Sequence, residues 1–297
     1  MNTTTVESTS PGAGPGAGTP LRANGIGRTR PRAERAEAVP ASTQSAARPT
    51  GTTSLIIPAR NEARNITWVL EQIPDCVDEV LLVDGKSSDA TLLMASRCMP
   101  RIRVVHQEGP GKGSALRTGF RHAKGDTIVM MDADGSMSPQ EIPRYLHFLD
   151  HGYDYVKGSR FVAGGGSLDI TTLRRLGNLA LLASVKALYR TTITDLCYGF
   201  CAFRRCFLEH LDLRSEGFEI ETEMTLHALR AGLRIAEVPS LELPRRSGQS
   251  NLRTFRDGGR VLRTVLRERR AAAADYQDVS QDLSLGLSQD LPTGSAA

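Results

Sequence analysis

Two aspartates one residue apart, Asp132 and Asp134 in Met131-Asp132-Ala133-Asp134-Gly135-Ser136, directly follow the apolar run Thr127-Ile128-Val129-Met130. Carboxylates so spaced at a strand end can hold a hard divalent cation, since Mg²⁺ typically takes one or two carboxylates and completes its shell with substrate phosphates. A cation there would stabilise charge developing on a departing diphosphate. The same composition also builds an ordinary polar turn. An EF-hand is excluded, because Ser136 stands at the fifth position and no Glu at the twelfth. Asp84, in Val83-Asp84-Gly85-Lys86-Ser87-Ser88-Asp89, is placed to accept hydrogen bonds from a nucleobase, whereas Asp89 suits a helix cap. Glu62, in Pro58-Ala59-Arg60-Asn61-Glu62, can meet ribose hydroxyls or a base, or simply complement a helix N-terminus. Gly109-Pro110-Gly111-Lys112-Gly113-Ser114 fails the P-loop pattern, because Lys112 is followed by Gly and position 107 is Gln. That excludes an ATPase, yet a Gly-rich turn before a helix can still bring N–H groups, and Lys112, near a phosphate.

These residues need elements that aim them at one place. Ser54-Leu55-Ile56-Ile57, Glu79-Val80-Leu81-Leu82-Val83, Ile102 to Val105 and Thr127 to Met131 read as short buried strands. Helical spacing of Ile66, Val69, Leu70 and Ile73 follows the first strand, a helix to about Cys98 the second, and a helix over Ala115 to Ala123 the third. Repeated βα units predict an α/β fold, a mostly parallel sheet with helices on both faces. Ligands of such sheets bind beyond the carboxyl ends of the strands, which is where Glu62, Asp84, Asp132 and Asp134 fall. Further on, the pattern predicts a strand at Tyr155-Val156-Lys157, helices over 173–190 and 221–230, a strand over 233–239 and a basic helix over 255–270. Trp68, Tyr189 and the leucines of 173–189 are expected in the core.

Pro58-x-x-Asn61-Glu62, Val83-Asp84-Gly85-x-Ser87-x-Asp89, Gly111-Lys112-Gly113-x-Ala115 and Asp132-Ala133-Asp134-Gly135 occur in that order. They are followed by Lys157-Gly158-Ser159-Arg160-Phe161, Thr194 to Phe200, Phe218 to Glu223 and Arg245-x-x-Gly248-x-Ser250-Asn251-Leu252. Taken together the set resembles the family 2 glycosyltransferases of the GT-A (Rossmann-like) fold, and especially the dolichol- or polyprenyl-phosphate mannosyltransferase-like branch. The resemblance implies that Pro58, Glu62 and Asp84 hold the nucleoside of a nucleotide-diphosphate sugar, UDP- or GDP-linked. It implies that Asp132 and Asp134 hold the diphosphate through Mg²⁺ or Mn²⁺, with Lys112 nearby. Arg245, rather than adjacent Arg246, keeps the family spacing to Gly248 and would close over the diphosphate. Asp195, Glu221 and Glu223 would face the acceptor, a lipid phosphate or a hydroxyl compound. Transfer would be a single inverting displacement, and only a hydroxyl acceptor needs a base, for which the three acids stand as candidates. Asn251 stands where the family usually has Lys, and the branch's C-terminal transmembrane helices have no counterpart in the sequence.

The 297 residues carry a net charge of +4, 40% hydrophobic and 24% charged residues, as in globular proteins. Residues 1–51, with Gly-Pro-Ala repeats, six Arg and three Glu, and residues 271–297, with four Asp, lack apolar periodicity and are predicted to be disordered tails around one domain over 52–270. No nucleic-acid-binding signature appears, so nucleic acid is not expected as a partner. Five cysteines without a C-x-x-C pair predict reduced packing residues. The first thirty residues lack a signal-type apolar stretch, and no run approaches the ~18 apolar residues of a membrane span, so a cytoplasmic chain is expected. Arg253, Arg256, Arg260, Arg263, Arg267 and Arg270 fall on one helical stripe over 253–270, a solvated face or a peripheral contact with anionic lipid at the inner membrane face. Two rivals remain. A sugar-1-phosphate nucleotidyltransferase would carry a Gly-rich basic loop after the first strand, where Pro58 to Glu62 stand instead. A non-catalytic nucleotide-sugar-binding protein would have little need of so many acids.

Overall fold

A computed structural model of the chain describes residues 51–248 and 256–271. The predicted tails therefore lie, apart from Gly51 and Ala271, outside the described residues, as do Arg253 and the Gln249–Phe255 stretch containing Asn251.

The chain runs β1 (Thr53–Ala59), α1 (Ile66–Glu71), β2 (Glu79–Asp84), α2 (Thr91–Cys98), β3 (Arg103–His106), α3 (Gly111–His122), β4 (Thr127–Met130) and α4 (Ile142–Asp150). It continues through β5 (Tyr155–Ser159), β6 (Gly166–Ser167), α5 (Thr172–Tyr189), β7 (Cys201–Arg204), α6 (Ile220–Arg230), β8 (Ile235–Pro239) and β9 (Leu241–Glu242). A last helix, α7, spans 256–271. Seven strands form one sheet in the order β3-β2-β1-β4-β7-β5-β8, and β6 pairs with β9 separately.

Strand alternation sends Leu55, Ile57, Leu82 and Val129 to one face, against Ile66, Val69 and Leu70 of α1, Ala95 of α2 and Ile142 to Leu149 of α4. Ile56, Val83, Ile128 and Met130 point the other way, against Leu116 and Phe120 of α3 and Ile220 and Met224 of α6. Both faces are covered, which is why these strands read as unbroken apolar runs.

The sheet departs from purely parallel at one strand: β7 lies antiparallel between β4 and β5. The α3 helix starts four residues before its predicted Ala115, at Gly111. A Cβ on Gly113 would stand 2.2 Å from the Ser215 carbonyl oxygen, so glycine lets the first turn of α3 lie on the backbone of 215–217. Because the Gly113 N–H donates to the Glu216 carbonyl (2.8 Å), it is engaged by the fold and not by a phosphate.

Strand β4 sits beside β1 while β2 and β3 extend on β1's other side. The order in which strands are added to the sheet reverses there, and the loops after the parallel strands β1 and β4 part to leave a crevice at the carboxyl ends.

Candidate active site

The β1 and β4 loops place their acids at this crevice. Asp134 accepts from its own turn at Ser136 N (2.9 Å), and Gly135, at φ 76°, supplies the left-handed residue the turn requires. Arg245 then spans the gap, its guanidinium 3.1 Å from Asp134 Oδ2 and 2.8 Å from Glu62 Oε1. Arg246 turns away instead, stacking on the Trp68 ring at 4.6 Å, so its neighbour alone meets the acids. Trp68 is only partly buried at the core's edge. A second bridge runs deeper. Lys112 Nζ lies 2.5 Å from Asp132 Oδ1 and 2.6 Å from Glu221 Oε1, with the Phe218 ring 5.7 Å away. Burial opposes the Lys112 charge, but the two carboxylates outweigh it and raise its pKa. Burial also raises the Glu221 carboxyl; Lys112 pulls it down, and neighbouring Asp132 adds to the rise.

Lys112, Asp132, Asp134, Glu221 and Arg245 share a cavity of about 560 Å³. Six carboxylates and four basic side chains line it, an excess of two negative charges. A diphosphate meets such a wall favourably only with a cation alongside, and two carboxylates with phosphate oxygens are a donor set that hard Mg²⁺ or Mn²⁺ accepts. The residues therefore fit a divalent metal at Asp132 and Asp134.

Arg160 also lines the cavity; its side chain, 8% exposed, forks onto Asp195 through Nε (2.7 Å) and Nη2 (3.0 Å) and reaches Glu242 at 3.1 Å. Arg174 and Asn178 of α5 belong to the same lining. Both side-chain polar atoms of Asn178 are buried without a hydrogen-bond partner, and a buried amide left unpaired marks a place where a ligand's polar atoms would be welcome.

Other predicted site residues are placed differently. Asp195 is fully buried behind Arg160, where it also accepts from Cys197 N, so it orients the arginine and does not line the cavity. Glu223 points away from it: its carboxylate accepts from Arg214 N, Ser215 N and Arg267. One turn on, His227 Nε2 lies 2.9 Å from Glu268, giving Glu223, His227 and Glu268 ligand-type atoms within 4.8 Å of one another. Arg267 and Arg230 already pair with these acids, so the cluster is an ion-pair network that fastens α7 to α6. Burial would raise the Glu268 carboxyl, but hydrogen bonds from His227 and Arg267 hold it at about 2. Asp84, 2% exposed, accepts from Ser87 N and lies 3.4 Å from His106, at the end of β2 beside Pro58's strand. Asp84, Pro58 and Glu62 stand outside the cavity's lining, Glu62 joined to it by Arg245.

Similarity to known proteins shows the family. Residues 54–212 match the family model for glycosyl transferase family 2. The chain belongs to that family. This glycosyltransferase is 33% identical to an undecaprenyl-phosphate mannosyltransferase of Micrococcus luteus, over 77% of its own chain and 98% of the relative's. It is 32% identical to a polyprenol monophosphomannose synthase of Mycolicibacterium smegmatis, over 69% and 82%. Among solved structures it resembles the glucosyl-3-phosphoglycerate synthase of Mycobacterium tuberculosis in complex with Mn²⁺, UDP-glucose and phosphoglyceric acid, with a TM-score of 0.61, 26% identity, and 74% and 80% of the two chains covered. The GT-A fold expected of the glycosyltransferase is the fold observed. Among its described residues no helix is long and apolar enough to cross a membrane.

Arg160, Arg174 and Asn178 were the residues that sequence reasoning passed over. Arg160 stood inside a quoted motif without a role, and Asn178 was a lone amide on an apolar helix, the one signal available. Cys197, expected only to pack, lines the cavity, where burial pushes its thiol up to about 12.

Proposed function

We propose that this glycosyltransferase moves a sugar from a nucleoside-diphosphate sugar onto a polyprenyl phosphate, with inversion. One observation carries the proposal: a single cavity is lined both by the Asp132–Asp134 pair and by a second group, Arg160, Arg174 and the unpartnered Asn178. The pair suits a metal-bound diphosphate and the second group a phosphate monoester, which guanidinium groups recognise by charge and paired donors. The lipid-phosphate relatives support the acceptor class, and the Mn²⁺ and UDP-glucose complex of the synthase supports the donor class.

Asp132 and Asp134 would hold Mg²⁺ or Mn²⁺, which when bound spreads the charge developing on the leaving diphosphate. Arg245 neutralises the same charge from the Glu62 side, while Pro58, Glu62 and Asp84 receive the nucleoside. Arg160, kept in place by Asp195, and Arg174 and Asn178 orient the acceptor phosphate. Its ionised oxygen attacks the anomeric carbon as the bond to the β-phosphate oxygen breaks, and no base is required. Glu221 would set the Lys112 ammonium beside Asp132. Its raised carboxyl is also the one acid of the three candidates facing the cavity, so with a hydroxyl acceptor Glu221 would be the base. The test offers the enzyme a panel of labelled UDP- and GDP-sugars with Mn²⁺ and undecaprenyl phosphate. Label extracted into organic solvent with one donor is expected; label that stays aqueous with every donor overturns the lipid-phosphate acceptor.

A further inference from the structure

Five of the nine large apolar side chains exposed among the described residues lie on two helices: Leu173, Leu176 and Leu179 on α5, and Leu262 and Leu266 on α7, each 42–60% exposed. The leucines of α5, expected in the core, divide by face: Leu182 and Val185 pack inward with Asn178, while these three look out with Ala180 and Ala183 beside them. The two helices touch, since Val185 of α5 and Val261 and Val265 of α7 share a small core and Tyr189 Oη donates to the Val265 carbonyl. Singly exposed leucines are ordinary; a cluster on adjoining helices marks a contact surface.

Charge identifies the partner. Helix α5 holds Arg174, Arg175 and Lys186 and no acid. Helix α7 holds six arginines, and its two acids, Asp257 and Glu268, are buried. Every exposed charge on the two helices is therefore positive. A second copy packed on this face would bring like charges together, whereas an anionic bilayer accepts both the leucines and the cations. The predicted arginine stripe contributes less on its own than expected, because Arg260 pairs with Asp257, and Arg267 with Glu223 and Glu268.

The same helices wall the cavity through Gly177, Asn178 and Leu181 of α5 and Val261 of α7. A bilayer against their outer faces would lie about one helix diameter, ~10 Å, from the acceptor end. We infer that the outer face of α5 and α7 docks on an anionic membrane surface, leucines in the acyl boundary and basic side chains among the headgroups. This rests on the lipid-phosphate acceptor and adds the surface that delivers it.

The experiment floats the full chain with vesicles of phosphatidylcholine alone or mixed with phosphatidylglycerol, beside the L173Q/L176Q/L179Q variant. Light scattering and a nucleotide titration accompany both proteins. Wild type should float with the anionic vesicles, and the variant should bind them about tenfold more weakly with nucleotide binding unchanged. Equal flotation of both proteins, or no flotation of wild type, overturns the inference. A wild-type dimer that the substitutions split into monomers overturns it too, assigning the face to self-association. Flotation that depends on the leucines, combined with no transfer to undecaprenyl phosphate, would leave the docking surface standing and remove the acceptor.

Discussion

At the residue scale, Glu221 and Glu223 stand two positions apart in sequence but meet different surroundings. Both begin α6, but one carboxylate closes on Lys112 in the cavity and the other on backbone N–H groups and Arg267 behind it. Glu221→Gln should therefore cut turnover at least tenfold with little change in melting temperature, because it loosens the Lys112 ammonium at the diphosphate end while Asp132 remains as that ammonium's partner. Glu223→Gln should do the reverse, leaving kcat near wild type and costing about 1–2 kcal/mol, or roughly 2–8 °C, through its lost charge-assisted bonds. Kinetics and thermal melts on both variants check the pair. Asn178→Leu should raise the KM for the lipid acceptor while the donor KM holds, since the unpartnered amide is proposed to meet the acceptor phosphate. The sequence disclosed Asp132 and Asp134 because a strand-end pair of carboxylates is a local pattern. Asn178 stayed hidden because its meaning lies in what α5 turns it toward, which no spacing encodes.

At the element scale, a glycine-dependent contact and an ion network hold the site's walls. Gly113→Ala would drive a methyl into the Ser215 carbonyl, so a loss of about 2 kcal/mol or more is expected, measurable by chemical denaturation. The Gly-rich segment looked like a ligand loop because glycine lowers helix propensity. Packing on 215–217 overrides that propensity and extends α3. Helix α4, absent from the expected elements, nonetheless carries a helical stripe of Ile142, Tyr145, Leu146 and Leu149, and four-residue β7 is too short for periodicity to reveal. Helix α7 is fastened by Glu268, whose carboxyl, ordinarily near 4.5, is held at about 2. A folded pKa below the unfolded value means stabilisation that is full above about pH 4.5 and is lost as pH falls toward 2. Melting temperatures of wild type and Glu268→Gln should thus differ at neutral pH and converge across that acid window.

At the scale of the whole molecule, the sequence makes the βα order and the strand-end acids legible, and with them the fold and the proposed donor side of the site. It leaves obscure the part of the lining that Arg160 after β5, Arg174 and Asn178 of α5, and Val261 of α7 assemble from segments far apart in sequence. Such long-range convergence has no one-dimensional signature. The central expectation is a nucleotide held by metal at Asp132 and Asp134, in a cavity that is otherwise too negative for a diphosphate. Calorimetric titration of UDP and GDP into wild type and Asp134→Ala, with and without Mn²⁺, tests this most directly. One nucleotide should bind wild type only with Mn²⁺, and the variant should lose that binding. Equal binding by wild type and variant, metal-independent binding, or no binding of either nucleotide would contradict it.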